Sequence, residues 1–78
     1  MTSGLLLYTT AGCHLCEHAE DILYQQKVAF LPVDIEEDVS LIQRYGTRIP
    51  VVADARGREL DWPFDNTTLT NWLAPNGG

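Results

Sequence analysis

The only two cysteines of this 78-residue chain stand in Cys13-His14-Leu15-Cys16. Thiols at this spacing serve disulfide exchange or metal ligation. Exchange needs a thiolate at one sulfur and a second thiol within reach of the mixed disulfide that the first one forms. The flanking sequence supplies the setting. An apolar run, Leu5-Leu6-Leu7-Tyr8, comes before the pair, and a segment with helical periodicity follows it. A cysteine that opens a helix faces unsatisfied backbone N–H groups and the positive end of the helix dipole, and both favour thiolate over thiol. A free cysteine has a pKa of about 8.5, which such placement lowers to roughly 3.5–7.5. Cys13 is therefore the candidate nucleophile and Cys16, about one helical turn on, the candidate resolving thiol.

Neighbouring residues modulate this chemistry. A His14 imidazolium would stabilise the Cys13 thiolate and make the disulfide more oxidising; an exposed, inert imidazole is the alternative. Glu17 works against thiolate formation. His18 reads as a surface or half-buried helix residue. Structural zinc takes four ligands, whereas Cys13, Cys16 and a histidine supply three at most from one rigid helix, so no metal ligands are assigned. The competing reading is a partner-binding module that is redox-dead or carries zinc, copper or an iron–sulfur unit. Copper carriers share the cysteine spacing but have the order β-α-β-β-α-β, which this chain does not fit.

Composition narrows the classes. Eleven acids against five bases give a formal charge of −6. No basic patch exists to displace counterions from phosphates, so nucleic acid is not an expected partner, and anionic membrane surfaces are repelled. No apolar run approaches the ~20 residues of a membrane span. Met1-Thr2-Ser3-Gly4 lacks the basic flank of a signal peptide, which leads to the expectation of a cytoplasmic monomer. One domain over residues 1–78 is expected, with its core at about 4–73 and a flexible tail at 74–78.

The elements that must position the cysteines read in order. Gly4 to Tyr8 is continuously apolar, the pattern of a central strand buried on both faces. His14 to about Gln26 forms a helix with Leu15, Ala19, Ile22 and Leu23 inward, capped by Thr10 or Gly12 and closed by Lys27. Val28 to Ile35 is a strand that Pro32 confines to a sheet edge. Glu36-Glu37-Asp38 opens a short helix, Val39 to Tyr45, with Leu41, Ile42 and Tyr45 inward and Gly46 at its end. Val51 to Ala53, a turn at Asp54-Ala55-Arg56-Gly57, and Arg58 to Leu60 make a hairpin. Asp65 caps a last helix, Asn66 to Leu73, with Leu69, Trp72 and Leu73 inward. Tyr8, Trp62, Phe64 and Trp72 read as core. The order β-α-β-α-β-β-α predicts an α/β fold, a mixed four-stranded sheet with helices on both faces.

With a C-x-x-C opening the first helix and Ile49-Pro50 opening the third strand, this order resembles the thioredoxin fold, and its small size resembles the glutaredoxin branch. The resemblance runs from Leu5 to Leu73. It implies a dithiol oxidoreductase with Cys13 and Cys16 as its redox pair. It also implies a cis Ile49-Pro50 bond that presents the Ile49 backbone to an extended substrate. Glutaredoxins carry C-P-Y-C, Thr-Val-Pro, and Gly-Gly-x-Asp after the fourth strand. Here the matching residues are His14-Leu15 between the cysteines, Arg48-Ile49-Pro50, and Asp61-Trp62-Pro63-Phe64-Asp65. The chain is thus more similar to diverged bacterial glutaredoxin-like proteins than to a glutathione-using enzyme. Arg48 is expected to add positive charge near the cysteines or to grip a substrate carboxylate, with a solvated loop arginine as the alternative. Asp65 is expected to cap its helix, and as a second role to meet the amino group of a peptide substrate. No tightly bound cofactor is expected, and glutathione is expected to serve poorly as co-substrate. The expected partners are a protein or small-molecule disulfide and a separate thiol or reductase.

Overall fold

Four strands and three helices form along residues 4–74, the part of the chain that the computed structural model describes. The expected tail beyond Ala74 lies outside the described residues, as do residues 1–3. The order is β1 (Leu5–Thr9), α1 (His14–Gln25), β2 (Phe30–Asp34), a 3-10 turn (Ile35–Glu37), α2 (Val39–Tyr45), β3 (Val51–Ala53), β4 (Glu59–Asp61) and α3 (Asn66–Leu73). The sheet order is β2-β1-β3-β4. β1 and β2 are parallel, as a helical crossover requires, and β3 and β4 are antiparallel across a tight turn. The thioredoxin-like arrangement predicted from the sequence is the one that forms.

Strand alternation divides the core between two faces. Leu5, Leu7 and Val52 pack with Ala19 and Leu23 of α1, with Leu69 of α3 and with Phe64. On the opposite face, Tyr8, Val51 and Ile49 meet Ile35 and the α2 residues Leu41 and Tyr45. Adjacent Val51 and Val52 thus face opposite layers, and helices cover both sides. Leu7, Leu23, Leu69, Val51 and Val52 are fully buried. Each such side chain contributes roughly 1.5–3 kcal/mol, so a few residues in β1, β3, α1 and α3 hold the layers together. β1 is central, but its burial alternates: Leu6 and Tyr8 are only half-buried. Pro32 does lie on an edge strand, opposite Leu7.

Several element ends differ from the sequence reading. Cys13, rather than Thr10 or Gly12, caps α1. Leu15 is 48% exposed, because Cys16, Ala19 and Leu23 form the inward stripe. Lys27 lies beyond α1 with φ +58°. Its N–H donates to Tyr24 O at 3.0 Å and that of Val28 to Leu23 O at 3.3 Å. This is a Schellman closure with lysine in the left-handed position that glycine usually fills. β2 begins at Phe30 and stops at Asp34, whose carboxylate accepts from Glu36 N and starts the 3-10 turn. Ile42 on α2 is 42% exposed rather than inward. Gly46 does end α2, in a right-handed conformation. A Cβ there would stand 2.5 Å from the Ile42 carbonyl, so close backbone approach is what calls for glycine. β4 is Glu59–Asp61 rather than Arg58–Leu60, because the Asp54 carboxylate holds Arg56 N and Arg58 N in the turn, each at 2.9 Å.

Candidate active site

Sheet register sets the site. Tyr8 of β1 pairs with Val51 of β3, and Val51 pairs with Asp61 of β4. The end of β1 that leads to the cysteines therefore lies at the same end of the sheet as Ile49-Pro50 and the end of β4. Between β1 and α1 the chain turns through Gly12, at φ +78°, a conformation that L side chains rarely adopt. That turn delivers Cys13 to the helix N-terminus.

Cys13 and Cys16 lie within disulfide-bonding distance, with Cα atoms 5.2 Å apart. Cys13 is half-buried and Cys16 is only 2% exposed. The Cys16 backbone N–H donates to Cys13 Sγ at 3.2 Å, so the cysteine sulfur does the work of an N-cap. In the dithiol state the same donor and the N-terminal end of α1 favour negative charge on Cys13. The geometry thus separates an accessible sulfur from a sheltered one.

The Ile49-Pro50 peptide bond is cis. Pro50 is buried and its carbonyl accepts from Trp62 N at 3.1 Å, while Ile49 N–H donates to Tyr45 O at 3.1 Å. The Trp62-Pro63 bond is cis as well. The Trp62 ring meets Phe64 edge-on with centroids 5.0 Å apart.

The other candidate residues are placed variously. The His14 side chain is 91% exposed, and its Nδ1 stands 3.9 Å from Glu17. Asp65 caps α3, accepting from Thr68 N at 2.8 Å, and this bond holds its carboxyl below the ordinary range. Its neighbour Asn66 bonds to Gln25 and Gln26, at the end of α1 remote from Cys13. Arg48 is half-buried, and its guanidinium is engaged by carboxylates rather than free in solvent. Its Nε and Nη2 bind Asp61 at 2.9 and 2.8 Å, Nη2 also binds Glu59 at 2.6 Å, and Nη1 reaches Arg44 O at 3.4 Å.

The sequence assigns no site role to Glu59, Asp61 or Tyr45. The alternation Glu59-Leu60-Asp61 was a usable signal, since it sends both carboxylates to the face that α2 covers. Tyr45 Oη donates to Glu59 at 2.6 Å, and its ring stacks on Tyr8 at 4.1 Å. Burial and the bond to Glu59 push its phenol above the ordinary value. The Thr10 hydroxyl, just before the cysteine loop, is buried without a hydrogen-bond partner. Among the described residues, no group of three or more His, Cys, Asp or Glu side chains converges to hold a metal ion. No helix among them is long and apolar enough to cross a membrane.

A cysteine pair opening the first helix of this sheet, with a cis proline leading into the third strand, defines a thioredoxin-like domain of the glutaredoxin type. The chain belongs to the glutaredoxin-like domain family (DUF836), whose match spans residues 4–74. Protein XcR50 from X. campestris has a crystal structure similar to this chain. The two are 48% identical, with a TM-score of 0.87, over 92% of this chain and 100% of that one. Protein Ne2328 from Nitrosomonas europaea is 26% identical with a TM-score of 0.74, over 95% and 94% of the two chains. The thioredoxin-like protein BC3987, 22% identical with a TM-score of 0.67 over 88% and 99%, shares the fold. No curated protein matches the chain.

Proposed function

We propose that the chain is a thiol–disulfide oxidoreductase. The observation that carries this reading is the asymmetric cysteine pair: a half-buried Cys13 whose sulfur accepts a backbone N–H, beside a buried Cys16 within bonding distance. The Cys13 thiolate attacks one sulfur of a substrate disulfide, and the other sulfur leaves as a thiolate that takes up a proton. Cys16 then loses its proton and attacks Cys13 Sγ, releasing the second substrate half as a thiol. Two electrons pass from the dithiol to the substrate, leaving a Cys13–Cys16 disulfide. An external thiol or a reductase reopens it.

An extended substrate docks along Ile49-Pro50. Because the Ile49 N–H is taken by Tyr45 O, the group offered to a substrate backbone is the Ile49 carbonyl. Glutathione is a poor co-substrate in this reading. No glycine pair directly follows β4, where its N–H groups would hold the tripeptide, and the Arg48 charge is already matched by carboxylates.

The test is turnover of a model disulfide by the reduced chain, with glutathione and its reductase compared with thioredoxin reductase. Exchange by wild type and its loss in Cys13→Ser are expected. A chain that retains zinc, copper or an iron–sulfur unit anaerobically and exchanges nothing would falsify the reading.

A further inference from the structure

Arg48 has five N–H donors, and four contacts turn them inward, onto Asp61, Glu59 and the Arg44 carbonyl. The guanidinium also stands over the Tyr45 ring, 5.1 Å from its centroid. Arg44 lies 3.6 Å from Glu59, so two cations face two carboxylates and the cluster is close to neutral. Little donor capacity and little net field remain for an anionic ligand.

The same contacts grip the segment that leads into β3. Arg48 N and Ile49 N both donate to Tyr45 O, at 2.8 and 3.1 Å. Tyr45 is in turn fixed by Glu59 and by the stack on Tyr8, which pairs with Val51. Beyond Ile49, the Pro50 carbonyl is held by Trp62 N. The Ile49-Pro50 backbone is therefore clamped on both sides, to β4 through a side chain at residue 48 and to Trp62, just past β4, through a backbone bond at residue 50. Bidentate arginine–carboxylate pairing suits this task, since its planar fork fixes orientation as well as distance.

We propose that Arg48 is a positioning residue: through Asp61 and Glu59 it holds the Ile49-Pro50 backbone where a substrate disulfide docks, and it does not itself touch substrate. This role rests on the oxidoreductase reading above. Hydrogen bonds from Arg48 hold both the Asp61 and Glu59 carboxyls below the ordinary range, so the clamp is closed at neutral pH.

The test compares two disulfides, oxidised glutathione, which carries carboxylates, and cystamine, which carries none. Arg48→Ala and Asp61→Asn should each raise KM for both disulfides by a similar factor, about three- to tenfold, with much smaller change in kcat. Hydrogen exchange at the Trp62 N–H should accelerate in both variants. Arg48→Lys keeps the charge without the fork and should recover only part of the loss. If Arg48 gripped substrate carboxylates, Arg48→Ala would impair only glutathione disulfide. Asp61→Asn would then free the guanidinium and lower KM for that substrate; either result overturns the proposal. Variants that match wild type on both disulfides also overturn it, while the oxidoreductase reading stands. A wild-type chain that exchanges neither disulfide overturns the oxidoreductase reading itself, and the role of Arg48 with it.

Discussion

At the scale of single residues, the division of labour between the cysteines follows from where α1 begins. Cys13 is the cap and Cys16 is the first residue of the buried stripe, so one sulfur meets solvent and the other faces inward. Cys16→Ser should therefore stop the reaction after its first half and accumulate a mixed disulfide on Cys13. Intact mass after reaction with a model disulfide should show one added substrate half per chain. Faster alkylation of Cys16 than of Cys13 in the reduced wild type would reverse the assignment. The cysteine spacing made the close approach of the two sulfurs legible in the sequence. What it could not convey was the use of the Cys13 sulfur as a hydrogen-bond acceptor, because that depends on the turn at Gly12.

At the scale of elements, helix ends are where local sequence and final geometry part. Lys27 illustrates the reason. A lysine after a helix suggests a favourable charge at the dipole's negative end, yet here its backbone takes the left-handed conformation that closes the Schellman motif. Such a conformation costs an L residue about 1–2 kcal/mol, offset in part by the greater unfolded-state freedom of glycine, about 0.5–1 kcal/mol. Lys27→Gly should stabilise the fold by roughly 0.5–1 kcal/mol, read as a higher urea midpoint at unchanged slope. A lower midpoint would show that the lysine side chain contributes more than its backbone strain costs. The α3 start raised no such difficulty, because an aspartate before Asn66-Thr67-Thr68 has an N–H within reach whatever the tertiary context.

At the scale of the whole molecule, the carboxylates tie stability to pH. Hydrogen bonds from Arg48 hold Glu59 and Asp61 below the ordinary carboxylate range, and bonds from the helix starts do the same for Asp38 and Asp65. A carboxyl whose pKa is depressed by folding binds fewer protons in the folded state. Its stabilisation is present above the unfolded value of about 4 and is lost as pH falls through the folded value. The urea midpoint should therefore decline below about pH 4, and Asp61→Asn should flatten part of that decline. An identical acid limb in the variant would remove Asp61 from the account. Asp38, Asp61 and Asp65 are exposed and Glu59 is only half-buried, so each contribution is small.

The sequence by itself determined the order of elements, the mixed sheet, the edge position of Pro32, the cap at Asp65 and the pairing of Cys13 with Cys16. Each follows from local chemistry: an apolar period, a missing donor, a short polar side chain or a fixed spacing along one helix. The tertiary structure decided the partners of Arg48. Its sequence neighbours offer no carboxylate, and only the β3–β4 hairpin returns Glu59 and Asp61, eleven and thirteen residues on, to the face where the guanidinium waits. The exposure of Leu15 and the stack of Tyr8 on Tyr45 were decided in the same way, because which side of a helix or strand is covered depends on what the rest of the chain lays against it.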